Sequence, residues 1–406
     1  MKDKKIIFVL HTFEHAGSQF SMLEYGLMAK QLGFKIYFVG ESGSFERELK
    51  KNEIPHDNRC YIPFSPLSII GLIKLIRIVV REKPDLIHCN TYWPHIECLF
   101  IKALFGIPVV STFPGGPIFF SKPIIPSGKL ISYSDELTKG LKLKYNLNSR
   151  QISTIKNRIN FSKFRSLIPI QLSGTGKLHY TMIGRMDIEK KNSISSFIHY
   201  IESLLSQKRS VEVIMVGGGD LIEYVSNTTK KINQKYEHEV FRLVGHKQDV
   251  LPYIVKTHFV VGLGRGVMEG MSAGKPAFVT CQDGHLSLVT RKNAEKHSYY
   301  NFAGRFAFNN EEKAIDESNC IRIMDDPKYY GEVSAFVAEY IHRNYDVSYI
   351  KNEIEKLYRF EIQSVLSYFQ RMKLLFQCIK AAVLGMWDRV KHIRKSIQSK
   401  LNNRLS

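Results

Sequence analysis

Short apolar runs recur along the first part of the chain, separated by longer stretches whose apolar residues fall at helical spacing. KIIFVL (5–10), FKIYFVG (34–40), DLIHCN (85–90) and IPVVSTF (107–113) are apolar without strict alternation, as expected of strands covered on both faces. SMLEYGLMAKQLG, SPLSIIGLIKLIRIVVREKPD and HIECLFIKALFG lie between them and read as helices. KLISYSDELTKGLKLKYN adds a strand and a helix, and QISTIKNRIN reads as a strand ending in a turn. FSKFRSLIPIQLSGTG (161–176), with Ser, Pro and Gly and little periodicity, reads as an interdomain linker. The alternation then restarts with KLHYTMIG, VEVIMVGGG (211–219), EVFRLVG, THFVVGLGRG and KPAFVT (275–280). The pattern predicts an α/β chain of two parallel-sheet units, 1–165 and 175–340, facing each other across a cleft. A helical wrap over 341–370 and a tail over 371–406 follow. In the tail, Met372, Leu375, Ile379, Val383, Met386, Val390, Ile393 and Ile397 recur every three or four residues, the pattern of an amphipathic helix.

Charge sharpens this picture. Lys plus Arg number 58 against 38 Asp plus Glu, a net charge of +20, which points to an anionic partner. The tail alone holds nine Lys or Arg and one Asp, a local net charge of +8. The six cysteines have neither metal-ligand nor disulfide-framework spacing, so a reducing, cytoplasmic setting is expected. MKDKKIIFVLHTF reads as a first strand rather than a signal peptide, and no stretch reaches 18 uninterrupted apolar residues.

Three places carry candidate chemistry. In HYTMIGRMDIEKKNSISSF, Gly184, Arg185, Lys190 and Lys191 crowd a strand end, where like charges repel unless something negative sits among them. Gly217-Gly218-Gly219 ends another strand; it is either a tight turn or a close approach of backbone to phosphate or sugar. In GLGRGVMEGMSAGKP (262–276), three glycines and Arg265 are expected to precede a helix whose first turn holds Val267, Met268 and Glu269. Such a helix start suits phosphate, with Gly264, Arg265 and Gly266 against it and Glu269 free to accept from sugar hydroxyls. His11, His15, His88 and His95 show no zinc-like spacing, so no metal is expected. Asp325-Asp326 reads as surface.

These motifs, in this order, resemble a GT-B-fold glycosyltransferase of family 4, the retaining group that uses nucleotide sugars. Gly184-Arg185-x4-Lys190 resembles the family's GR-x4-K, and Glu269-Gly-Met-Ser-Ala-Gly274-Lys-Pro276 its EAM-x2-G-x-P. Ala16-Gly17, KPDLIHCN, KNRIN (156–160) and NFAGR (301–305) resemble further elements, so the similarity runs over about residues 5–305. The resemblance implies that Arg185 and Lys190 meet the donor diphosphate, that Gly17 faces it from the first domain, and that Glu269 holds the ribose. It implies an acceptor on the first domain, where Glu14 and His15 are the candidates. The partners implied are a UDP- or GDP-sugar and a glycan or lipid-linked acceptor of bacterial surface polysaccharide or lipopolysaccharide synthesis, with no metal or other cofactor and no nucleic acid.

The sequence departs from the family at four positions: Val261 for the first Glu of Glu-x7-Glu, Pro114 for a donor-contacting His, Lys191 for a Gly and Ala16 for the first Gly of the loop pair. Two rivals stay open, a nucleotide-sugar epimerase and a sugar-nucleotide-binding or scaffold subunit without turnover. The basic tail has three readings: an anionic membrane surface with Trp387 at the interface, packing of its apolar stripe on the catalytic domains with a basic face outward, or nucleic acid, for which no recognition module accompanies it.

Overall fold

A computed structural model describes residues 3–14, 17–58, 69–115, 125–161, 164, 172, 176–247 and 249–383. It divides into two compact units, one running to Lys156 and resuming at Tyr349, the other Asn157–Ser348. The sequence pattern placed these divisions at 165/175 and at 340/341. Nearly all of the expected linker, 161–176, lies outside the described residues, as do His15, Ala16 and Trp387.

The first unit is built on a seven-stranded sheet of β1 (Lys5–Thr12), β2 (Lys35–Glu41), β3 (His56–Asp57), β4 (Leu86–Asn90), β5 (Val109–Phe113), β6 (Lys129–Ser132) and β7 (Ile152–Thr154). Its order is β3-β2-β1-β4-β5-β6-β7 and every pairing is parallel. β4 and β5 are buried at every position, as their unbroken apolar runs require. The C-terminal segment returns to this unit. Tyr358, on the helix Val347–Gln363, meets His88 at the Nδ1 with its hydroxyl at 2.7 Å, and Thr112 Oγ1 lies 2.6 Å from the other ring nitrogen. Lys102 and Glu361 are both buried here; burial pulls the lysine down and pushes the carboxyl up, while each partly holds the other charged. A further helix over 368–383 buries Leu374, Cys378, Ala381 and Ala382 against the same core.

The second unit repeats the plan with β8 (Leu178–Ile183), β9 (Val211–Val216), β10 (Phe241–Gly245), β11 (Phe259–Gly262), β12 (Ala277–Thr280) and β13 (Leu286–Leu288) in the order β10-β9-β8-β11-β12-β13. All pairings are parallel except β12 with β13. Two-residue β3 and antiparallel β13 were not foreseen, being too short to show a period. Residues 155–160 are not strand; Ile159 makes a single bridge to Asp346 instead.

Candidate active site

In each unit the strand order reverses beside the first strand of its sheet, between β1 and β4 and between β8 and β11. In open parallel sheets such a reversal leaves a crevice at the carboxyl edge, where ligands bind. In the second unit the two turns that flank it are Gly184–Lys190, after β8, and Gly262–Glu269, after β11. Those are the two stretches that carry most of the candidate residues.

Backbone packing holds the first turn in place. Gly184 N–H donates to Val216 O (3.1 Å) and Met186 N–H to Gly218 O (2.8 Å), so the ends of β8 and β9 are laced together. A Cβ on Gly217 would overlap the Gly184 carbonyl oxygen. Gly218, the middle glycine of the three, meets only His246 Cβ, at 3.7 Å from where its own Cβ would stand. Gly184 has nothing within 4 Å of that position and is open to solvent.

Arg185 stands out from this turn with 62% of its side chain exposed. Its Nη1 lies 2.8 Å from Asp187 Oδ2 and its Nη2 3.7 Å from Glu189 Oε1. The negative groups among the crowded cations are therefore the turn's own carboxylates. Exposed pairs of this kind contribute about 0–1 kcal/mol, so a diphosphate can displace them. Lys190 closes the short 3-10 turn Ile188–Lys190 and is half-buried. Burial, then the Arg185 charge, pulls its ammonium below the ordinary range, while Glu189 and Asp187 oppose this. A bound anion would relieve both effects. Lys191 opens the next helix and lies over the Tyr224 ring at 5.0 Å.

The second turn differs from the sequence expectation. The helix is Arg265–Ser272, so Arg265, Gly266 and Val267 form its first turn and Glu269 comes one turn later. Gly264 is its N-cap with φ +59°, and its N–H donates to Phe302 O at 2.8 Å. That glycine lets the chain enter the helix without a side chain, which is why the helix starts earlier than propensity suggests. Gly266 packs on Ile183, at the end of β8. Arg265 Nε meets Glu269 Oε1 at 3.0 Å, one turn apart. The sequence treated these two as separate ligand contacts; the structure makes them a pair. Val261 is fully buried within β11, so its side chain is core.

NFAGR gains a structural meaning. Asn301 and Phe302 both take left-handed backbone, φ +55° and +53°, rare for non-glycine residues, and so place the Phe302 carbonyl on the Gly264 N–H. Asn301 is buried and its Oδ1 has no hydrogen-bond partner among the described residues. Nothing in composition or spacing singled out Asn301; the consecutive left-handed pair shows only in the backbone.

In the first unit, Glu14 is exposed and accepts from Ser44 Oγ at 3.2 Å, while Gly17 opens the helix Gly17–Gln31 with nothing within 4 Å of where its Cβ would stand. At the end of β4, Asn90 Nδ2 reaches Ser18 O at 3.4 Å. His88 is tied into the core as described, and His95 lies 2.7 Å from Ser111 Oγ and 3.1 Å from Ile125 O. Asp325 is paired with Arg209 through two contacts of 2.7 Å, and Asp326 caps the helix Pro327–Tyr345, so both acids serve the fold.

Residues 3–160 match the family model described as Glycosyltransferase Family 4. A glycosyltransferase from Rickettsia africae ESF-5 superposes with a TM-score of 0.66 at 16% identity, covering 89% of this chain and 99% of that one. Anabaena HepE in complex with UDP and glucose gives 0.64 at 15% identity, covering 88% and 100%. The lipopolysaccharide outer core galactosyltransferase WaaB gives 0.60 at 12% identity, covering 88% and 99%. The chain has the GT-B fold. No curated protein matches its sequence. All but the last four residues of the family match lie in the first unit, whereas the cationic turns lie in the second.

Proposed function

We propose that this protein is a retaining glycosyltransferase that moves a sugar from a UDP- or GDP-sugar to a glycan or lipid-linked acceptor. Its setting would be the synthesis of bacterial surface polysaccharide or lipopolysaccharide at the cytoplasmic face of the membrane. The observation that carries the reading is the position of Arg185 and Lys190 at the strand-order reversal, with Arg185 paired to the carboxylates of its own turn. HepE in complex with UDP and glucose supports the donor class by likeness of fold, and WaaB the glycan class.

As the bond from the anomeric carbon to the diphosphate oxygen breaks, negative charge grows on the leaving group. Arg185 meets it with a planar fork of donors and Lys190 with a compact ammonium. Because that charge is greatest in the transition state, both residues act on turnover more than on ground-state binding. The acceptor hydroxyl attacks from the face the diphosphate leaves, its oxygen bonds to the anomeric carbon, and its proton passes to the departing phosphate. Configuration is retained without a protein nucleophile, and the cations do the charge neutralisation that a metal ion does elsewhere. Gly184, Gly218, Gly264 and Gly266 admit the donor closely, and Glu269 turns from Arg265 to the ribose hydroxyls. Gly17 approaches the diphosphate, and Glu14 and His15 bind the acceptor.

One observation favours a second reading, that of a sugar-nucleotide-binding subunit without turnover: the position of the missing family Glu, Val261, is buried core. A screen of nucleotide sugars by thermal stabilisation, followed by transfer assays with lipid-linked acceptors, decides between them. Transfer with retention at the anomeric carbon, read by NMR, supports the enzyme. Stabilisation without transfer across the panel supports the subunit, and neither stabilisation nor transfer defeats both.

A further inference from the structure

The helix over 368–383 is amphipathic in an inverted sense. Its buried side is made of Leu374, Cys378, Ala381 and Ala382, mostly small. Its outward side carries the large residues: Phe369 is 78% exposed and Phe376 71%, with Met372, Ile379 and Val383 exposed in the same file. The spacings 369, 372, 376, 379 and 383 put all five on one face, opposite the buried one. On the buried side, Arg371 ties this helix to the end of the helix Tyr92–Phe105, donating from Nε to Ala103 O at 2.8 Å and from Nη2 to Leu104 O. Leu104 and Phe105 are themselves exposed at that end. Exposed Lys373 and Lys380 border the file on one side. The helix is thus anchored by its small residues and shows its large ones, rather than packing its large apolar stripe inward under a basic outer face.

We propose that this face docks on an anionic lipid surface. Contiguous exposed apolar area of this kind marks an interaction site. Charge decides the occupant. A file of this spacing also fits a second copy in a paired helix. Two copies would however bring together two segments 371–406, each of net charge +8, and these repel. An anionic bilayer accepts both the apolar file and the bordering lysines: the aromatic rings enter the acyl boundary while Lys373 and Lys380 reach the headgroups. This inference is independent of sugar transfer, since it uses no residue of the cationic turns.

The test is co-sedimentation of the full chain, without donor or acceptor, with phosphatidylcholine vesicles and with vesicles of two parts phosphatidylcholine to one part phosphatidylglycerol. The wild type is expected to partition about tenfold or more in favour of the anionic vesicles. F369D/F376D is expected to lower that partition about tenfold, with an unchanged melting temperature because both side chains are exposed in the folded state. K373E/K380E is expected to lower it on anionic vesicles only. Wild type left in both supernatants, equal sedimentation with both vesicles, or F369D/F376D sedimenting like wild type would each overturn the proposal. A concentration-dependent dimer abolished by F369D/F376D, with no vesicle binding, would assign the face to a second copy instead.

Discussion

The two units are wound alike, each on a parallel sheet whose order reverses beside its first strand, yet their carboxyl edges are chemically opposite. Within β4 and β5 buried polar side chains satisfy one another, as in His88 with Thr112 and Tyr358, while at the end of β4 the buried Asn90 Oδ1 has no hydrogen-bond partner among the described residues. At the ends of β8 and β11, glycines bring backbone close to backbone; Arg185 stands out in solvent beside Asp187, and half-buried Arg265 pairs with Glu269. In the function proposed above, the edge of the second unit receives the anionic diphosphate. Side chains in the turns set the difference, not the sheets.

The sharpest way to break this contrast is at the cations of the turn after β8. Arg185→Ala and Lys190→Ala are each expected to lower kcat about 10²–10³-fold, as loss of one transition-state donor does, with little change in melting temperature. Steady-state kinetics on a matched donor checks it, and unchanged turnover counts against the site. Gly217→Ala attacks the same edge through the backbone. The new methyl cannot coexist with the Gly184 carbonyl, so the second unit should lose about 3 kcal/mol. Gly218→Ala, with 3.7 Å to its nearest neighbour, should cost little stability, and any loss of donor affinity there reports on the ligand alone. Urea unfolding of the two variants side by side separates these effects.

The first unit answers to pH instead. Glu97 is buried, and burial pushes its carboxyl from the ordinary 4.5 up to about 8. The folded state therefore favours the neutral acid. Its contribution is full below pH 4.5 and is lost as pH rises towards 8, about 3 kcal/mol of it by pH 7. Glu97→Gln should remove that fall, so that variant and wild type diverge in stability between pH 5 and 8; parallel pH–stability curves would refute it. The smallest effect is expected at Glu269→Gln: about a tenfold rise in donor KM with kcat nearly kept, because the ribose contact is the same in ground and transition states.

Much of this was legible in the sequence because long apolar runs and glycine spacing are local signals. Most strands of the two sheets follow from apolar runs such as IIFVL and VIMV, and the motif order pointed to the GT-B fold. What escaped is non-local. The pairing of Arg185 with Asp187 and Glu189 depends on how a 3-10 turn folds back. The early start of the helix at Arg265 depends on Gly264 being held by the Phe302 carbonyl, contributed from a distant loop. The tail shows the same limit. Its period revealed a helix, but not which side would be buried, since small and large apolar residues lie on opposite faces.

The account rests on a nucleoside diphosphate lying against Arg185 and Lys190. The most direct measurement is calorimetric titration of UDP and GDP into wild type, Arg185→Ala and Lys190→Ala. The account predicts that one of the nucleotides binds wild type, and that each variant loses about tenfold or more in affinity while unfolding at the same temperature. Equal affinity in all three proteins would contradict it.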